Sequence, residues 1–598
     1  MQVSTFPDGH QVKKQKNSRD VFEQALVLES RGRAEEAAAK YRALISRNAE
    51  HDRALFRLGL SLLGKGEVEA ATRYLERAVE VRRDEPTYLL SLGEAYRLQG
   101  KVELAGAVLT YAVNIDPDLT EAHEKLAPIR MHAGAYEEAL SHLEKVAALR
   151  PDDPLAHVGL AWALLLLNRP AQALARAERA IELAPNLAGA HRCAGDSLDM
   201  LGDKQRSLES YRRVLELDPG DSVAHSNLII SMLTEPSHDA KAVLAEARAW
   251  EAQHALPLRA HQREHQNVRD PDRRLRIGYV SPDFRAHPVQ QFLVPLLQRH
   301  DPNAVEIFLY SSVERADART EWYQGFAGDR FRDIRPLSDV EAAELVRRDQ
   351  IDVLVDLAVH GPGNRLRVFA CKPAPIQMTW LGYAGTTGLA SIDYRITDPY
   401  LDPLDADLSV YSESSLRLPA TFWSYDALEV NLVVNPAPAV ERGFVTFGSF
   451  NSPRKVHSRA VALWARVLAA VPTSRLLFYT EEYGRAGALR IFAEAGVDTN
   501  RVEFVGRVSR REYLERHHGC DIALDTFPFS GGTTTLDSAW MGVPTVTLLG
   551  STVLQRAGYA IATHLGLPKL VARSEDEFVE RAAALASNLE ALSALRAG

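Results

Sequence analysis

Small, apolar and helix-breaking residues follow one rhythm up to about residue 234 and another from residue 275 onward. In the first stretch they return every 34 positions. Gly32, Gly66, Gly100, Gly134 and Gly202 share one phase, with Asn168 in the remaining slot. Ala37, Ala71, Ala105, Ala139, Ala173 and Ser207 form a second series at the same spacing, and Pro117, Pro151, Pro185 and Pro219 a third. Ala25, Gly59, Gly93, Ala127, Ala161 and Gly195 form a fourth. Each unit reads as two helices. The glycine or asparagine closes the first, where a left-handed residue costs little. The small residues let the pair approach closely, and the proline ends the unit because it cannot continue a helix interior.

This is the tetratricopeptide pattern, about six repeats over residues 19–222, with a partial capping helix at Ser222 to Leu233. Such arrays stack into a superhelix whose groove docks peptides or proteins. A spacer or dimerisation role is the plainer alternative and leaves a homodimer open. The array carries no nucleophile–base cluster.

From Leu275 short β-rich runs alternate with helical ones. Strands are expected at Leu275–Val280, Glu306–Ser311, Ile351–Leu357, Ile376–Leu381 and Ile392–Ile396. A second series follows at Phe444–Phe450, Arg475–Tyr479, Val502–Val505, Asp521–Asp525 and Thr545–Leu548. Two successive β/α series predict two doubly wound, Rossmann-like domains, with the chemistry in the cleft at the strands' carboxyl ends. The expected organisation is a polar tail (1–18), a repeat array (19–234), a linker helix (235–272), a first α/β domain (273–435) and a second (436–598).

Composition narrows the function. Hydrophobic residues are 46% and charged residues 25% of 598, as in ordinary globular chains. The formal net charge of −9 argues against a chain built to coat nucleic acid or anionic lipid. Cys193, Cys371 and Cys520 are far apart, so neither a disulfide framework nor a Cys-x-x-Cys knuckle is expected. That fits a reducing cytoplasm. Residues 1–20 carry Lys13, Lys14 and Lys16 with no apolar core behind them, unlike a secretory signal. No apolar run approaches the roughly 20 residues of a spanning helix.

Five loops at expected strand ends carry candidate chemistry. Gly531-Gly532-Thr533-Thr534-Thr535-Leu536-Asp537 opens a helix after the strand Asp521–Asp525, an arrangement suited to an anion. Capping by one threonine is the plainer reading, but three threonines behind two glycines exceed what a cap needs. Asn451-Ser452-Pro453-Arg454-Lys455 follows another strand, and its lysine can act as a point charge on a diphosphate. His287 follows the first strand of the first domain, placed to serve as base or orienter. His360 and the loop Gly385-Thr386-Thr387-Gly388 lie at the same edge, where turn chemistry alone would also justify the glycines. Asp405-Ala-Asp407 is read as a solvated loop rather than a cation site.

The segments LRIGYVSPDFRAHP, KPAPIQMTWLGYAGTTG, GFVTFGSFNSPRKV and DIALDTFPFSGGTTTLDSAWMGVPTVTL, preceded by tetratricopeptide repeats, resemble the family 41 glycosyltransferases. That family includes protein O-GlcNAc transferase and the plant SPINDLY proteins. The resemblance implies a GT-B fold and inverting, metal-independent transfer from a nucleotide sugar to Ser or Thr of protein acceptors recruited by the repeats. No cofactor and no metal are implied. By position, Lys455 would neutralise the departing diphosphate and Thr533 and Thr534 would hold it by backbone and hydroxyl. Asp537 would contact the ribose, and Arg516 with the Val508–Tyr513 segment would frame the nucleoside. His287 would lie beside the acceptor hydroxyl, and His360, Thr386 and Thr387 would line the sugar side. The group that takes the acceptor's proton stays open. Gly532 stands where animal O-GlcNAc transferases have histidine, and Ser452 where the family has glutamine. The donor therefore stays open between UDP-GlcNAc, the leading reading, and GDP-fucose. A repeat scaffold with an inactive transferase domain is the reading from another class.

Overall fold

The computed structural model describes residues 9–235, 237–270, 272–428, 430–456 and 458–597. Residues 1–8 of the expected tail lie outside the described residues. Met1–Pro185 and Asn186–Gly598 are two compact units.

The first unit is five helix pairs, from Gly9–Ser30 with Ala34–Arg47 to Pro154–Leu166 with Pro170–Leu183. The first described helix is Gly9–Ser30, so residues 9–18 of the expected polar tail are helical. Their polarity argued against burial, but between Gly9 and Ser30 no Gly or Pro interrupts a helix. The periodic residues do what their chemistry requires. Gly32, Gly66, Gly100 and Gly134 close first helices at φ between 73° and 82°, and Asn168 does so at 59°. At Gly59 and Gly93 a Cβ would lie 2.7 and 2.6 Å from the side chains of Leu75 and Leu109, so a larger residue there would displace those leucines.

The second unit begins with the sixth repeat, Ala188–Leu201 and Lys204–Leu217, followed by helices Ser222–Thr234 and Ala240–Trp250. One apolar core explains why this repeat belongs here. Tyr211, Leu228, Met232 and Trp250 are buried together with Val280, Tyr310 and Leu354 of the first sheet. The linker helix Ala240–Trp250 passes at Glu251 into a π turn, Glu251–Ala255.

The first sheet has seven parallel strands: β1 (Leu275–Ser281), β2 (Val305–Ser311), β3 (Phe331–Asp333), β4 (Val353–Asp356), β5 (Ile376–Thr379), β6 (Tyr394–Thr397) and β7 (Ser414–Arg417). Their order is β3-β2-β1-β4-β5-β6-β7. The second has six: β8 (Thr446–Ser449), β9 (Arg475–Tyr479), β10 (Val502–Val505), β11 (Ile522–Leu524), β12 (Thr545–Leu548) and β13 (Val571–Ala572). Their order is β10-β9-β8-β11-β12-β13. The order reverses between β1 and β4 and between β8 and β11, where doubly wound sheets open their ligand crevices. The strands absent from the sequence reading, β3, β7 and β13, lie at sheet edges and have two to four residues each. Among the described residues no helix is long and apolar enough to cross a membrane.

Candidate functional site

Loops leaving β1, β5, β8 and β11 meet around a cavity of about 210 Å³ between the two sheets. His287, Tyr383, Trp423, Lys455, Phe529, Gly532 and Thr533 line it. Four residues singled out in the sequence, His287, Lys455, Gly532 and Thr533, are thus brought to one place.

Asp525, buried at the end of β11, shapes the floor. Its carboxylate accepts from Gly531 N at 2.7 Å, Thr526 N at 2.8 Å and Thr547 Oγ1 at 2.7 Å. These bonds fix the turn from strand to helix. A Cβ at Gly531 would lie 2.5 Å from Thr535 Oγ1, and one at Gly532 would lie 3.0 Å from the Trp423 ring. Helix Thr533–Trp540 then begins behind Gly532 with no side-chain cap. Its first backbone N–H groups and the positive end of its dipole stay available to an anion. Thr534 differs from expectation. Its Oγ1 donates to Asn451 Oδ1 at 2.7 Å, so its proton ties the helix to the β8 loop instead of facing a phosphate.

Lys455 ends a short 3-10 turn, Pro453–Lys455, after β8. Its Nζ lies 3.5 Å from Ser530 O and 4.0 Å from the Phe529 ring centroid. Burial draws its pKa down to about 8, with Asp525 opposing. It is still mostly a cation at neutral pH. Ser452 is exposed and contributes its carbonyl, which accepts from Lys455 N at 2.9 Å.

His287 is held by its own loop. Its Nδ1 is 3.5 Å from Asp283 Oδ2 and 3.4 Å from Val289 N. Burial lowers its pKa, with Asp283 opposing, so the imidazole is neutral at pH 7 and able to take a proton.

Asp537, which the resemblance assigns to the ribose, is held here by protein groups. It is 1% exposed, and its carboxylate takes Arg510 Nη1 at 2.8 Å, Arg510 Nη2 at 2.6 Å and Tyr425 OH at 2.5 Å. Arg510 belongs to the Val508–Tyr513 segment expected to frame the nucleoside, but its pairing with Asp537 was not foreseen, and Tyr425 was missed. Tyr513 stacks edge-on to Phe450, Tyr479 and His517, with its hydroxyl buried and unpartnered. Arg516, expected to frame a nucleoside, ends its helix exposed.

His360, Thr386 and Thr387 are likewise absent from this cavity's lining. His360 is fully buried; its Nε2 is 2.9 Å from Thr387 O, its Nδ1 is 3.3 Å from Ser226 Oγ, and Trp250 packs on its ring. Burial pushes its pKa down to about 3, which leaves a neutral ring fastening the helices after the sixth repeat to the first sheet. Thr386 Oγ1 donates to Glu413 Oε2 at 2.8 Å, and Thr387 donates to the same carboxylate through N and Oγ1. The sequence located these residues at the correct sheet edge but not the inward direction of their side chains. Thr386 does border a separate cavity of about 300 Å³, with His238, Tyr411 and Phe527. In the Asp405-Ala-Asp407 loop, Asp407 accepts from Ser409 N at 3.0 Å as a turn cap.

The description of glycosyl transferase family 41 matches residues 225–433 and 438–598. Tetratricopeptide descriptions match 22–72, 59–119, 130–192 and 167–222. The SPINDLY protein of Petunia hybrida, named a probable UDP-N-acetylglucosamine–peptide N-acetylglucosaminyltransferase, is 41% identical over 338 residues, 55% of this chain and 36% of that protein. The SEC protein of Arabidopsis thaliana, given the same activity in its name, is 32% identical over 54% of this chain and 34% of its own length. The chain thus spans about a third of the length of these curated relatives. A solved Thermobaculum terrenum O-GlcNAc transferase variant is 33% identical, covers 86% of this chain and 91% of its own, and superposes with a TM-score of 0.69.

Proposed function

The chain belongs to glycosyl transferase family 41, and from that premise we propose that it transfers a sugar from a nucleoside diphosphate donor to Ser or Thr hydroxyls of proteins. The observation that carries this reading is the meeting of Lys455, the uncapped helix start at Gly532–Thr533 and His287 around one cavity.

The chemistry follows from those positions. The acceptor oxygen attacks the anomeric carbon from the face opposite the diphosphate. The bond from that carbon to the diphosphate oxygen breaks, and the nucleoside diphosphate leaves with the electron pair. Charge then grows on the leaving phosphate, where the Lys455 ammonium and the helix N–H groups stabilise it. This reading assigns that task to the protein rather than to a metal ion. The neutral His287 imidazole takes the proton released by the acceptor hydroxyl. Asp525 and Asn451 hold the loops that make the arrangement. The repeats recruit the protein acceptor.

UDP-GlcNAc is the leading donor, supported by the activity that the relatives' names give them. GDP-fucose is the second reading, favoured by Gly532, which stands where animal relatives have histidine and where a Cβ would lie 3.0 Å from the Trp423 ring. The three cysteines are buried free thiols, which supports a reducing compartment. Thermal unfolding with UDP and with GDP separates the donors, since a ligand at about 100 times its Kd adds roughly 2.7 kcal/mol. Stabilisation by UDP alone supports GlcNAc transfer, by GDP alone supports fucose transfer, and by neither favours the scaffold reading.

A further inference from the structure

Helix Ala188–Leu201 of the sixth repeat carries a half-buried carboxylate, Asp196, and a buried one, Asp199. Asp196 accepts from Tyr211 OH at 2.7 Å and from Asn227 Nδ2 at 3.0 Å. Asp199 accepts at Oδ1 from Lys204 Nζ at 2.6 Å and Ser231 Oγ at 2.7 Å. Its other oxygen, Oδ2, faces Arg454 Nε at 3.9 Å. Burial alone would raise the pKa of Asp199, but the charges of Lys204 and Arg454 outweigh burial and hold it low. Asp199 is therefore a fixed anion with one oxygen turned toward the second α/β domain.

Arg454 is the middle residue of the turn Pro453–Lys455. From that turn Lys455 reaches toward Ser530 and Phe529, while Arg454 reaches toward Asp199. A cavity of about 220 Å³ lies there, bounded by Met200, Leu201 and Gly202 on one side and by Val456, Ser458 and Val461 on the other. The charge pair spans from the repeat to the turn, between a buried carboxylate and a half-exposed guanidinium.

We propose that Asp199 is a positioning residue for the donor site: through Arg454 it sets the turn that presents Lys455, which makes the last repeat part of the nucleotide-sugar machinery. This rests on the reading of Lys455 as the partner of the diphosphate.

The test is calorimetric titration of the full chain with UDP and UMP, and with GDP and GMP, for the wild type and for Lys455→Ala, Arg454→Gln, Arg454→Lys and Asp199→Asn. Arg454→Gln and Asp199→Asn are expected to weaken diphosphate binding about threefold to fivefold, the scale of one half-exposed ion pair. Monophosphate binding stays near the wild-type value, Arg454→Lys recovers most of the loss, and the double variant is no worse than either single one. General loosening of the fold would weaken both nucleotide classes alike. Arg454 is half exposed, so its variants fold even where Asp199→Asn does not. Wild-type diphosphate affinity in Arg454→Gln, beside a loss in Lys455→Ala, overturns the proposal. Wild-type affinity in Lys455→Ala, or no binding of either base by the wild type, overturns the underlying reading and the proposal together.

Discussion

Lys455 sets the pH behaviour of the account. Its pKa of about 8 means that the cation is lost as pH rises through 8. kcat/KM, which reports the free enzyme, is expected to be level near neutrality and to fall about tenfold per pH unit above 8. Arginine stays charged past pH 12, so Lys455→Arg is expected to keep residual activity and lose that alkaline limb. At the other end, His287 is held neutral by burial, so its acid limb lies below the ordinary imidazole range and disappears in His287→Gln. A pH–rate series on the three proteins checks both limbs. Single residues were legible in proportion to their neighbours. Lys455, Gly532 and Thr533 were found because they sit in runs that join strand to helix. His360 and Thr387 stood in similar runs yet turn inward to each other and to Glu413, a direction that no spacing encodes. Arg510 was included only as part of the Val508–Tyr513 segment, and only the structure reveals its pairing with Asp537.

Helix Thr533–Trp540 shows why elements matter more than their residue types. Its start is usable by an anion because Asp525 draws in Gly531 N and because neither glycine brings a Cβ into the turn. Gly531→Ala would place a methyl 2.5 Å from Thr535 Oγ1 and 2.7 Å from Thr534 Oγ1. We expect that variant to lower diphosphate affinity about tenfold or more by displacing the first turn, while circular dichroism stays unchanged. Unchanged affinity would mean that the helix start does not hold the phosphates. At this scale the sequence was most informative where chemistry forces one residue type. The helix-closing glycines and Asn168 all adopt the left-handed backbone that their period implied. Strands β9, β10 and β12 have the ends read from their apolar runs. Two-to-four-residue edge strands such as β3 and β13 are set by a neighbouring strand, which periodicity does not contain.

At the scale of the molecule, the 34-residue period groups the sixth repeat with the five before it, whereas packing groups it with the α/β domains. Tyr211, Leu228 and Trp250 are buried with the first sheet, and the compact unit begins at Asn186. A fragment of residues 186–598 is therefore expected to fold cooperatively and bind the nucleotide. A fragment of 235–598 exposes the Trp250 face and is expected to aggregate or lose several kcal/mol of stability, as apolar burial of a few large side chains implies at about 2 kcal/mol each. Equal stability of the two fragments would show that the sixth repeat is an appendage.

The most direct test of the central claim is release of nucleoside diphosphate from UDP-GlcNAc and from GDP-fucose, with and without a protein acceptor, by the wild type and Lys455→Ala. The account predicts acceptor-dependent release from one donor, reduced about 10²-fold or more in Lys455→Ala, the scale of one lost leaving-group contact, at an unchanged unfolding temperature. Equal turnover by the two proteins, or no turnover with either donor, would contradict it.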